Sequence, residues 1–165
     1  MSHYTFDPDR SRLTIDSRSN VHGITATAER VVGWIETDDD DTPVTGHLTI
    51  EIDRLHTGNP LYDREIRNRL EVKKFPTFEA HLTTVHDGEG PTWAVTGGVS
   101  AHGAQNDLEG AITVAADGDG VRVTGSEDVD FRQFGLKAPR LLTLKVDPIV
   151  TVTLDAVTGA ADASA

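Results

Sequence analysis

Leu142-Thr143-Leu144-Lys145-Val146-Asp147-Pro148-Ile149-Val150-Thr151-Val152-Thr153-Leu154-Asp155 decides how this chain is read. The even positions form an apolar row. The odd positions are polar, with Ile149 the exception. A period of two places one row on each face of a strand. The row outruns an ordinary strand of about 5–6 residues. The expectation is one long strand bent near Pro148, as in the wall of a barrel.

Outward from that stretch the alternation repeats. Leu48, Ile50 and Ile52 oppose His47, Thr49 and Glu51 within Gly46 to Asp53. Phe78, Ala80 and Leu82 form a second row, Trp93, Val95, Gly97 and Val99 a third, and Leu108, Gly110, Ile112 and Val114 a fourth; Val121 and Val123 follow. Tyr4 to Phe6, Arg12 to Asp16 and Val32 to Glu36 read as further strands, with Gly33 marking a bulge or close approach. Turn signals lie between them: Asp87 to Pro91, His102-Gly103, and Asp117-Gly118-Asp119-Gly120. These spacings suit an antiparallel meander. So many strands in 165 residues predict a single closed barrel or a sandwich.

One segment departs from the period of two. Asn59 is a good N-cap and Pro60 suits the first helical position. Asp63 and Glu65 sit toward the positive end of the dipole, Arg67 and Arg69 toward the negative end. With Leu61 or Tyr62, Ile66 and Leu70 as its apolar stripe, this reads as one short helix over an open barrel end. The tail from Thr158 to Ala165 is small and polar and is expected to fray.

Composition narrows the function classes. The net charge of −12 makes nucleic acid and anionic membranes poor partners, since both need a basic footprint. The acidic run Asp38 to Asp41 reads as a solvated loop. Without cysteine there are no disulfides, no thiol catalysis and no cysteine-ligated metal. None of the seven histidines forms a His-x-His or His-x-x-x-His pair, so no metal is expected. The N-terminus has no charged region followed by an apolar stretch, and no apolar run approaches the ~18 residues of a membrane span. The expectation is a cytoplasmic protein without stable membrane insertion. No serine sits in a nucleophile elbow, and Gly97-Gly98 precedes no helix. No catalytic residue and no cofactor is expected. What remains is the aliphatic inner face, either a packed core or a tube for a long apolar chain.

The order of several motifs resembles the YceI-like family, the lipocalin-like polyisoprenoid-binding proteins. Tyr4-Thr5-Phe6-Asp7 with Ser11 resembles its opening, and Gly33-Trp34-Ile35 its early glycine-containing strand. Thr57 to Arg67 is similar to its threonine-bearing turn and short helix, with Tyr62 where an arginine is usual. Phe75-Pro76-Thr77-Phe78, Gly97 to Gly103 and Phe134-Gly135-Leu136 resemble its later motifs, although Phe131 stands where an arginine is usual and Arg132 is shifted by one.

The resemblance implies an all-β fold: a single antiparallel lipocalin-like barrel of about eight strands, with one short helix near its mouth. The domain would span 1–157, with 158–165 as a disordered tail. It further implies non-catalytic binding, transport or sequestration of an isoprenoid lipid of quinone or polyprenyl type, and a possible homodimer. From the apolar rows, the expected lining is Leu48, Ile50, Phe78, Leu82, Trp93, Val95, Leu108, Ile112, Val123, Leu144, Val146 and Val152. Tyr62, Asp63 and Arg67 are the expected mouth residues. Two alternatives stay open: a small-molecule enzyme with a mouth pair such as His102 and Asp63, or a filled barrel acting as a protein-interaction scaffold.

Overall fold

A computed structural model of the chain describes residues 1–86, 90–136, 140–141 and 144–162. Its strands in chain order are β1 (Ser2–Thr5), β2 (Arg12–Arg18), β3 (Gly23–Glu29), β4 (Val32–Thr37), β5 (Pro43–Glu51), β6 (Leu55–His56), β7 (Thr77–Val85), β8 (Thr92–Ala101), β9 (Ala104–Asp117), β10 (Gly120–Asp130), β11 (Arg140–Leu141), β12 (Leu144–Lys145) and β13 (Ile149–Val157), with helix α1 at Pro60–Arg69 between β6 and β7.

Among the described residues, eleven strands form one curled sheet in the order β1-β4-β5-β7-β8-β9-β10-β13-β2-β3-β6, and every pairing in it is antiparallel. The strands outnumber the eight expected because the chain closes its barrel with short pieces. β6 follows β5 through the 3₁₀ turn Ile52–Arg54 and pairs with β3, so the edge at β3 is joined to the strand that carries β5. At the other edge Phe6, just past β1, donates its N–H to Gly33 and forms a bridge with Thr158, just past β13. Closing a sheet on itself removes exposed edges.

Thr158 therefore belongs to the barrel rather than to a frayed tail. It is fully buried, and its hydroxyl oxygen accepts from the Val121 N–H at 2.9 Å. Asp162 also docks on β1, its N–H donating to the His3 carbonyl at 2.7 Å.

The long row around Pro148 is broken rather than bent. β12 pairs with β11 in a separate two-stranded sheet, and β13 begins only at Ile149. Proline has no N–H to give a ladder. The flanking groups are used elsewhere: the Asp147 N–H donates to the Arg18 carbonyl, and the Asp147 carboxylate caps the Ile149 N–H. Leu142 lies outside the described residues, and so does the side chain of Leu144.

Inward parity follows the apolar rows. Leu13 and Ile15 on β2, Ala26 and Ala28 on β3, Ile50 on β5, Val121 and Val123 on β10, and Val150 and Ala156 on β13 share one core. β3 was not read from the sequence, because alanines make its inner row faint. The turn His102-Gly103 joins β8 to β9 with both residues at positive φ (52° and 75°), the two-residue hairpin geometry that matches strand twist. Gly33 marks a close approach: a Cβ there would lie 2.1 Å from the His47 carbonyl oxygen of β5. We expect Gly33→Ala to force β4 from β5 and destabilise the fold by about 2 kcal/mol or more. Urea unfolding checks this, and an unchanged midpoint would contradict it.

On the outer face, Arg122 of β10 grips both carboxylate oxygens of Asp155 on β13, at 2.8 and 2.6 Å. These hydrogen bonds, with the guanidinium charge, hold the Asp155 carboxyl below its ordinary 3.8. A lowered folded-state pKa gives stability that is present above the ordinary value and lost as pH falls through the folded value. Arg122 is more than half exposed, so water screens the pair and its contribution to stability is small. The stability gap between wild type and Asp155→Asn should therefore shrink as pH drops below about 4. A gap that widens in acid unfolding would refute this.

Candidate functional site

The barrel holds a cavity of about 270 Å³. Its wall is aliphatic and aromatic, and its size follows from what four neighbouring strands leave out. β7, β8, β9 and β10 present Ala80, Gly97, Gly110 and Gly125 on their inward rows, and all four border the cavity. Where a leucine or valine would fill the lumen, there is at most a methyl group. Phe131, Phe134 and Leu136 form the floor. They are set by a 3₁₀ turn, Phe131–Phe134, that Asp130 caps through the Arg132 N–H and that ends at Gly135 with φ 72°.

Seven expected lining residues meet around this cavity: Leu48, Ile50, Phe78, Val95, Leu108, Ile112 and Val152. Val146 instead borders a second cavity of about 60 Å³ beneath α1, together with Ile24, Ile66 and Leu70. The two share Phe78, Phe131, Ile15 and Leu136 as a common wall. Val123 is buried in the core but does not reach the large cavity. Leu82 and Trp93 keep the inward parity and stand opposite Gly97 and Ile112, which border the cavity, yet neither borders it. Parity fixes the face a side chain takes, not whether it reaches the cavity.

Helix α1 forms as read. The Asn59 side chain accepts from the N–H groups of Leu61 and Tyr62. The expected mouth residues take other places. Tyr62 packs on Ile24 and Val146. The Asp63 carboxylate accepts from both the N–H and the hydroxyl of Thr57, at 2.7 Å each, which ties the helix to the preceding turn. Arg67 is half-buried on the helix, and none of the three borders either cavity; the helix presents Ile66, Arg69 and Leu70 there instead. Replacing Asp63 by Ala strands the Thr57 N–H. We expect a loss of about 1–3 kcal/mol in chemical denaturation. An unperturbed unfolding curve would show that the clasp contributes nothing.

The enzyme alternative needs His102 beside Asp63. The structure engages them separately. His102 Nε2 bonds to Glu71, and its Nδ1 faces the Phe134 carbonyl at 3.3 Å; the ring meets Phe75 edge-on. This joins the segment after α1, the β8–β9 turn and the cavity floor. Arg132 points to Asp130, whose carboxyl its hydrogen bonds hold below the usual range. His47 and His81 stand directly opposite one another on β5 and β7. Among the described residues no three potential ligands cluster as a metal site.

The expected lining missed the floor residues Phe131, Phe134 and Leu136, the wall residues Leu13, Ile15 and Leu154, and Glu127. Glu127 interrupts the inward row Val121, Val123, Gly125, Val129 on β10 and borders the cavity. Its signal was a charge at an apolar parity.

No helix among the described residues is long and apolar enough to cross a membrane. No curated protein matches the chain. Solved structures do. BcnA of Burkholderia cenocepacia superposes with a TM-score of 0.82 at 16% identity, over 92% of this chain and 98% of that one. A polyisoprenoid-binding domain from Saccharophagus degradans, implicated in plant cell wall breakdown, gives 0.81 at 17% identity, over 97% and 99%. A YCEI protein of Campylobacter jejuni gives 0.69 at 13% identity, over 81% and 82%. At such identities these likenesses speak for the lipocalin-like barrel alone. The family model described as the YceI-like domain matches residues 4–158, and on that match the chain belongs to the YceI-like family.

Proposed function

We propose that this protein binds an isoprenoid lipid, of quinone or polyprenyl type, inside the barrel and carries or sequesters it without chemistry of its own. The observation that supports this most directly is the cavity: about 270 Å³, walled almost wholly by apolar side chains. That lies just below the common range for small-molecule pockets, about 300–1,000 Å³. An apolar void of this kind excludes the polar groups that would orient a reacting substrate. What it offers is burial, worth about 0.8 kcal/mol per CH₂. A branched polyprenyl tail supplies many such groups in a slender chain. Membership of the YceI-like family and the polyisoprenoid-binding description of the Saccharophagus degradans domain point the same way. On this reading the carrier works in the cytoplasm, and its acidic surface keeps it off anionic membranes.

Val152 provides the test. It sits on β13 between Ile15 of β2 and Glu127 of β10, with its side chain at the cavity. Val152→Phe should fill part of the lumen while the fold persists. Titrating a prenyl quinone in detergent, with quenching of tryptophan fluorescence as readout, should give saturable binding by the wild type. The variant should bind at least about tenfold more weakly, as removing two or more buried CH₂ contacts would. Equal binding by a folded Val152→Phe would refute the cavity as the site.

A further inference from the structure

The barrel wall has a slit. β9 and β10 pair from Asp117↔Gly120 to Thr113↔Thr124 and then part. β9 goes on pairing with β8 down to Ala104, and β10 goes on pairing with β13 down to Asp130. Near α1 the slit is closed by Asn106, whose Nδ2 donates to the Gln133 carbonyl at 2.8 Å. Between these two ends one side chain spans it: the Ala111 N–H of β9 donates to the Glu127 Oε1 of β10 at 3.1 Å. Both lips border the cavity, with Glu109, Gly110 and Ala111 on one side and Gly125, Ser126 and Glu127 on the other. The hollow thus reaches the surface through the wall itself.

Glu127 stands opposite Val152 on the inward side, where a carboxylate facing a dry lumen would be costly. It escapes by turning into the slit. Gly110 makes room for it, since a Cβ there would lie 2.7 Å from the Glu127 Cγ. Every charged residue among the described cavity lining is an acid: Glu79, Glu109 and Glu127.

We propose that this slit is the passage by which the lipid enters, and that Glu127 is a specificity-determining residue that admits an uncharged head group and rejects a phosphate. The inference rests on the carrier reading above and deepens it. The apolar cavity takes the tail, so the head group stays at the slit beside Glu127. A hydroxyl there can donate to the carboxylate. A phosphate meets the like charge of the Glu127 carboxylate at close range and is repelled, while an uncharged head group is not. The Glu127 bridge to Ala111 is the one side-chain hydrogen bond between β9 and β10 across the middle of the slit among the described residues, so its release widens the passage.

The test offers the full-length protein a polyprenol and the polyprenyl monophosphate of the same chain length, read by native mass spectrometry. The wild type should take the polyprenol with roughly tenfold or greater preference, given a unit-charge repulsion across a few ångströms. Glu127→Gln keeps an oxygen for the Ala111 N–H but loses the charge, so its preference should fall toward parity at unchanged melting temperature. Glu127→Ala loses the bridge and should take up polyprenol faster. Equal uptake of both lipids by the wild type, or a preference that Glu127→Gln leaves unmoved, overturns the head-group assignment. An unchanged uptake rate in Glu127→Ala overturns the slit as passage. Uptake of neither lipid by any form instead overturns the carrier reading itself.

Discussion

The hollow in this barrel depends on a band of missing side chains. A small β-barrel normally fills itself, because inward residues from all strands converge on a narrow lumen. Here Ala80, Gly97, Gly110 and Gly125 fall on the inward rows of four adjacent strands, between larger residues such as Phe78, Val95 and Leu108, so at these four positions the lumen has almost no filling. The next two strands, β13 and β2, with Leu13, Ile15, Val152 and Leu154, are ordinary aliphatic wall. Glycine weakens strands. In this band, that weakness coincides with the place where β9 and β10 separate.

The closure compensates for a wall that is thin there. The edges of the sheet are held by contacts between distant parts of the chain: Phe6 against Gly33 and Thr158, and Ser11, whose hydroxyl accepts from the Val157 N–H at 3.0 Å while its carbonyl accepts from Val31. At the helix end, His102, Glu71, Phe75 and the Phe134 carbonyl join three separate connections over the floor. The barrel is tied at the sheet edges and over the floor, and open at its side.

Much of this was legible in the sequence. The period of two gave β5, β7, β8, β9 and β13 their inner faces, and Asn59-Pro60 marked the start of α1, because both signals are local. The misses share a cause in three dimensions. Leu82 and Trp93 have the right parity and stand opposite Gly97 and Ile112, which border the cavity, yet neither borders it. Tyr62 and Asp63 lie on the right helix, yet their partners, Ile24 and Val146 for one and Thr57 for the other, decide what they do. Pro148 breaks its strand, since its neighbours' hydrogen bonds go to Arg18 and to a carboxylate cap. Whether the barrel was packed or hollow could not be decided from alternation, which counts apolar positions and ignores their volume. The inward glycines and the single inward Glu127 were the overlooked marks.

An acidic barrel with an aliphatic lumen has a narrow range of uses. Its net charge is −12, its interior is lined by aliphatic and aromatic side chains, and polar clusters such as His102 with Glu71 join its loops. Native mass spectrometry with organic extraction, on protein purified from its own host, tests this most directly. The account predicts a co-purifying prenyl lipid bound one per chain. A protein that emerges empty, and stays empty when prenyl lipids are added, would contradict it.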